Sequence, residues 1–184
     1  LHAWGGTSFS QDIPYDTRTV TARDGVALTL RVYGPHSDTQ IVFLHGVNSN
    51  ASQLNHAAGL LQAATGAQVI TPDARGHGAS GGEPYRVHHI GQYEEDVADI
   101  LDELRTATPE GRVFLAGHSM GGGVAVRSIM LEDRPVVDGY VLFAPNFGDG
   151  PTRHAPRPED EAPHNEEAGN GWIVFDSKAF IGVL

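Results

Sequence analysis

The chain has 184 residues, 40% of them hydrophobic and 19% charged, which is enough for one domain with a packed core. Its 12 basic and 23 acidic residues leave a formal net charge of −11, which argues against nucleic acid and anionic membrane surfaces as partners. There is no cysteine, so disulfides, thiol nucleophiles and thiolate metal sites are excluded.

In chain order, residues 1–16 read as an irregular lead-in containing Gly, Ser and Pro. Thr17–Ala22 and Val26–Tyr33 alternate in strand fashion around Asp24-Gly25, a strong hairpin turn, so the core opens with an antiparallel pair. The continuous apolar run Ile41–Leu44 has the character of a strand buried on both faces. Residues 51–65 are Ala- and Leu-rich and predict a helix, and Ala67–Ile70 predicts another short buried strand. Ile90, Tyr93, Val97, Leu101 and Leu104 recur at helical spacing over 88–107, with an acidic outer face. A strand starting at Gly111, a helix over 120–132 and a strand over Val136–Ala144 follow. Strands alternating with helices imply a mostly parallel sheet with helices on both faces. Residues 17–145 therefore form the core. From 146 to 184 the composition turns to Pro, Gly and acidic residues, which reads as the beginning of a lid or cap insertion. No apolar stretch approaches a membrane span. The first residue is Leu1 rather than Met, so cytoplasmic and envelope-associated locations both stay open.

Three motifs carry chemistry. The apolar run Val113-Phe114-Leu115-Ala116 leads directly into Gly117-His118-Ser119-Met120-Gly121-Gly122, a strand entering a Gly-x-Ser-x-Gly turn before a helix. That turn exists to expose a serine hydroxyl, here Ser119, for attack on a carbonyl. Gly117 and Gly121 let the strand turn sharply into the helix. The second motif is His45-Gly46, followed by Val47-Asn48, at the end of the strand Ile41–Leu44. The backbone N–H groups of Val47 and Met120 are the expected oxyanion donors, and losing one such donor typically costs about 3–4 kcal/mol of barrier. His45 is expected to shape its loop by hydrogen bonding rather than to act as the base, because the base follows the serine in chain order. The third motif, Asp73-Ala74-Arg75-Gly76-His77-Gly78-Ala79-Ser80, reads as a tight, internally hydrogen-bonded turn at the rim of the site, with His77 in no catalytic role. His88 and His89 fall at a helix start and read as solvent-facing or capping residues.

With these pieces in this order and spacing, together with the helix carrying Tyr93 and Asp96, the chain resembles the α/β-hydrolase superfamily over about residues 17–145. Within it, the resemblance is to the monoacylglycerol lipase and serine aminopeptidase-like branch. The resemblance implies an eight-stranded α/β-hydrolase fold of which strands 1–6 are present here and strands 7–8 are missing. It also implies hydrolysis through an acyl-enzyme on Ser119 with Val47 and Met120 as oxyanion donors. His45, Gly46, Gly117, His118 and Gly121 would be supporting residues, and no metal or organic cofactor would be needed. The same resemblance places the triad acid and histidine after later strands, two or three βα units of ~30 residues each away. Only 39 residues follow Pro145. The acid and base are therefore expected beyond residue 184, and the chain is expected to be a fragment with little or no turnover by itself. In-chain candidates are Asp149, Asp160 and Asp176 for the acid and His154 and His164 for the base. Asp149 is the least unfavourable acid, and all five read as solvated loop residues. Glu159-Asp160-Glu161 with Glu166-Glu167 lacks the spacing of a cation loop and reads as solvated surface.

The expected function is hydrolysis of carboxylic esters, either small acyl esters or monoacylglycerol- and lysophospholipid-like lipids, with no nucleic acid and no obligate protein partner. The alternatives are a non-catalytic binding protein on the same fold and a peptidase. Epoxide hydrolase and dehalogenase chemistry would call for an Asp where the chain has Ser119. A sheet ending at Val136–Ala144 exposes a long edge strand, from which self-association is expected.

Overall fold

The computed structural model describes residues 12–131 and 136–146. Among them, β1 (Asp16–Thr21) and β2 (Ala27–Tyr33) form the expected hairpin, with Val20 opposite Leu28 and Thr17 opposite Arg31. Then come β3 (Thr39–Leu44), α1 (Asn55–Thr65), β4 (Gln68–Pro72), α2 (Gln92–Ala107), β5 (Arg112–His118), α3 (Met120–Ser128) and β6 (Gly139–Phe143). The six strands make one sheet in the order β1-β2-β4-β3-β5-β6. β1, β2 and β4 pair antiparallel in succession, and β4, β3, β5 and β6 run parallel.

The central strands are apolar on both faces because both faces are covered, and side-chain alternation divides them cleanly. Val42, Leu44, Ile70, Val113 and Leu115 point to one side, where they pack with Val97, Ile100, Leu101 and Leu104 of α2 and Val124 and Ala125 of α3. Ile41, Phe43, Val69 and Ala116 point to the other side, against Leu54 and Ala58 at and within the start of α1. The mostly parallel sheet with helices on both faces is thus the architecture read from the sequence.

Several boundaries differ, each for a local reason. The helical segment 51–65 opens with a 3₁₀ turn, Ala51–Leu54, capped by the Asn50 side chain, which accepts from Ser52 N–H. α2 begins at Gln92 rather than at 88. Gly91 sits at φ 105°, and the Gln92 side chain accepts the His88 N–H at 2.7 Å, so the chain turns there instead of continuing the helix. Ile90 consequently lies outside the apolar stripe and is 84% exposed. α3 ends at Ser128, short of 132, where the Ser128 hydroxyl donates to the Ala125 carbonyl and Ile129 and Met130 N–H close tight turns onto Val126 and Arg127. β6 occupies the middle of the expected 136–144 run, and β4 extends two residues further, to Pro72.

The order of connection positions the site. The chain passes from β3 outward to β4 on one side, then crosses back so that β5 lies on the other side of β3. Loops leaving the carboxyl ends of β3 and β5 therefore diverge, and such a switch point is where open α/β sheets bind ligands.

Candidate active site

The register places Leu44 opposite Gly117 across β3 and β5, so His45-Gly46 and His118-Ser119 emerge side by side at the switch point. Ser119 has φ 53° and ψ −116°, a left-handed conformation that costs a non-glycine residue about 1–3 kcal/mol and persists only where its surroundings enforce it. Here three backbone bonds enforce it. Ser119 N–H donates to the Phe143 carbonyl at 3.0 Å, and the Ser119 carbonyl accepts from Gly123 N–H at 3.0 Å and Asn146 N–H at 2.8 Å. The end of β6 thus closes over the turn. Its own exit is strained as well, with Ala144 at φ 43°.

Close approach of α3 to both neighbouring strands depends on glycine. A Cβ on Gly121 would lie 2.6 Å from the carbonyl oxygens of Leu44 and His45, and one on Gly123 would lie 2.0 Å from that of Asn146. These contacts bring the N-terminus of α3, with its outward-facing N–H groups, against the loop after β3. Among the described residues, neither Val47 N–H nor Met120 N–H has a hydrogen-bond acceptor.

The loop after β3 touches the serine turn through Gly46. A Cβ there would sit 3.3 Å from Ser119 Cβ and 3.2 Å from His118 Nδ1. His45 is buried and holds this loop with both ring nitrogens. Ala74 N–H donates to its Nε2 at 2.9 Å, so Nδ1 carries the proton and donates to Gly46 O at 2.8 Å. With both nitrogens engaged by backbone, His45 is not available to take a proton from Ser119. Its bond to Gly46 O turns the Val47 N–H of the same trans peptide away from the ring. A cleft of about 750 Å³ opens beside Ser119, walled by Phe43, Val47, Leu54, Leu60, Leu61 and Phe143.

Burial pushes the His45 imidazole below the ordinary histidine value, and the nearby His77 acts in the same direction, against the Gly46 carbonyl and Asp73. An unfolded histidine binds its proton near pH ~6.5 while folded His45 stays neutral. The stability from this group is therefore complete above pH ~6.5 and falls as the pH drops below it, by at most ~1.4 kcal/mol per pH unit. Comparing denaturant unfolding of the native chain and His45→Gln between pH 7.5 and 5 should show the difference between them shrinking on acidification. A difference that grows would contradict the neutral, doubly bonded state.

The sequence pattern did not reveal what lies behind the loop after β4. Asp73 is buried, and its carboxylate accepts Ala51 N–H at 2.7 Å and Ala79 N–H at 2.8 Å. Arg75 is buried between two carboxylates. It donates to Asp96 through Nε at 3.0 Å and Nη2 at 2.5 Å, and to Asp24 through Nη1 at 2.6 Å and Nη2 at 3.0 Å. His77 is buried, with Nδ1 2.9 Å from the Arg75 carbonyl and its ring against His45 and Tyr85. His89 reaches Glu95 on the surface at 3.0 Å. The sequence showed Asp24-Gly25 as a hairpin turn, Asp73–Ser80 as a tight turn and Asp96 on a helix, each separately. Pairing across 51 and 21 residues leaves no periodic trace. Asp149, His154, Asp160, His164 and Asp176 lie outside the described residues.

Residues 35–162 match the family described as serine aminopeptidase, S33. The monoglyceride lipase of Homo sapiens is 32% identical over 139 residues, 73% of this chain and 45% of that protein. The monoacylglycerol lipase of Mycolicibacterium smegmatis is 32% identical over 102 residues, 54% of this chain and 36% of that protein. A Pyrococcus furiosus esterase superposes with a TM-score of 0.61 at 26% identity, over 72% of this chain and 50% of that one. The chain spans less than half the length of these curated relatives. Because the match takes in every element that builds the serine turn and the loops beside it, the chain belongs to the serine aminopeptidase S33 family of the α/β-hydrolase superfamily.

Proposed function

We propose that the protein hydrolyses carboxylic esters through an acyl-enzyme on Ser119. The observation that carries this reading is the clamped, left-handed turn at Ser119 beside two N–H groups, those of Val47 and Met120, that have no acceptor among the described residues. The Ser119 hydroxyl attacks the ester carbonyl after giving up its proton to a histidine base. The oxyanion lies between the two N–H groups, and water then releases the acyl group. The base and the acid that orients it are supplied from outside residues 12–146. Asp149, His154 and His164 are the candidates within this chain. Small acyl esters or monoacylglycerol-like lipids suit the apolar cleft beside Ser119, and the lipase and esterase relatives support that substrate class.

The family description also raises peptide hydrolysis, and substrates separate the two readings. Turnover of p-nitrophenyl butyrate should exceed that of aminoacyl p-nitroanilides by at least ~10²-fold, about 3 kcal/mol of barrier. The reverse preference would make the protein a peptidase. Loss of ester turnover on His154→Ala or His164→Ala would place the base within these residues.

A further inference from the structure

We infer that Asp73 is a positioning residue for the oxyanion loop, fixing through Ala51 N–H the far end of the 46–50 segment whose near end His45 holds. The inference rests on the ester-hydrolase reading of Ser119, and it assigns a task to a carboxylate that touches neither the substrate nor Ser119.

Six residues, 45–50, connect the end of β3 to the 3₁₀ turn at Ala51. Asn48 sits at φ 53°, a left-handed conformation, and Asn50 is fully extended at φ −159°. Such a segment has several backbone alternatives open to it. Two bonds from the loop after β4 select one. Ala74 N–H to His45 Nε2 fixes the His45 ring, and the ring fixes Gly46 O. Asp73 Oδ1 receives Ala51 N–H at 2.7 Å, which pins the start of the turn.

Asp73 is itself held rigidly. Its N–H donates to Thr29 O at 2.9 Å, its carbonyl accepts the Ser80 hydroxyl at 2.6 Å, and its Oδ2 accepts Ala79 N–H. Gly78, at φ 52°, lies against the carboxylate so closely that a Cβ there would come within 2.4 Å of all three of its atoms. The carboxylate therefore has one place to be, and it transmits that place to the loop bearing Val47.

The test compares variants in protein that turns over p-nitrophenyl butyrate. Asp73→Asn keeps the shape but can no longer accept both N–H groups. Ala51→Pro removes the same bond from the loop side, at the first position of the turn, where proline is tolerated. Val20→Ala is the control for stability alone, since it removes buried core volume on β1, which β2 and β4 separate from β3. Asp73→Asn and Ala51→Pro should each lower kcat about 10–100-fold with KM unchanged. Affinity for a trifluoromethyl ketone, whose adduct carries an oxyanion, should fall by the same factor, and Val20→Ala should leave both unchanged. Wild-type kcat in either variant, an equal kcat loss in Val20→Ala, or failure of both Asp73→Asn and Ala51→Pro to fold would make Asp73 a folding residue and overturn the inference. Turnover persisting in Ser119→Ala would instead remove the reading on which it rests.

Discussion

In protein active on p-nitrophenyl esters, Ser119→Ala lowers kcat by about 10⁴–10⁶-fold while the fold stays intact. The two halves of that expectation come from different atoms of one residue. The backbone N–H and carbonyl of Ser119 make the bonds that hold the turn to Phe143, Gly123 and Asn146. The hydroxyl takes no part in those bonds. Alanine keeps the backbone and its φ of 53°, so unfolding free energy should move by no more than about 0.5 kcal/mol. Activity and thermal unfolding measured on the same preparation check both halves. A variant that loses activity only because it unfolds would show that the serine is structural.

Arg75→Met lowers stability at pH 7 by about 3–5 kcal/mol, the usual cost of leaving a buried charge without its partner. The Arg75 side chain is 3% exposed and that of Asp96 7%, whereas Asp24 is 38% exposed. Burial pushes the Asp96 carboxyl up, opposed by the guanidinium, so removing Arg75 leaves the burial effect unanswered. The guanidinium bond holds Asp24 down at about 2, so the stability from that exposed pair is present above pH ~4 and is lost as the pH falls toward 2. In Arg75→Met the unpaired Asp96 protonates more readily in the folded state than in the unfolded one. The deficit should therefore be largest near neutrality and smaller at pH 4.5. Urea unfolding at the two pH values measures this, and Arg75→Met combined with Asp96→Leu should recover most of the loss. A deficit that widens on acidification would show that Asp96 is not the stranded charge. This network ties the Asp24 turn and α2 to the loop that carries Asp73.

Much of this fold was legible in the sequence, because its central strands carry their burial in composition. Ile41–Leu44 and Val113–Ala116 are continuous apolar runs, as strands covered on both faces must be, and the glycines at 117 and 121 mark where a helix abuts the strand ends. The start of α2 was not legible. Ile90 fits the helical period, yet Gly91 turns the chain out of it, and periodicity cannot see a left-handed residue. The polar frame around the site was hidden for another reason. Asp73, Arg75 and His45 owe their places to partners 21 to 51 residues away, and hydrogen bonds over such separations leave no mark on spacing. The segment Asp73–Ser80 announced a tight turn, but not that its one carboxylate, Asp73, would accept the Ala51 N–H from the loop after β3.

The most direct test of Ser119 as the nucleophile is to map the adduct of a fluorophosphonate probe in protein that turns over p-nitrophenyl butyrate. Trypsin should release Val113–Arg127, in which Ser119 is the only serine. The account predicts that this peptide carries the phosphonyl group in proportion to the activity lost, with none on Ser119→Ala. Inactivation with the modification on any other peptide, or full activity with Val113–Arg127 quantitatively modified, would contradict it.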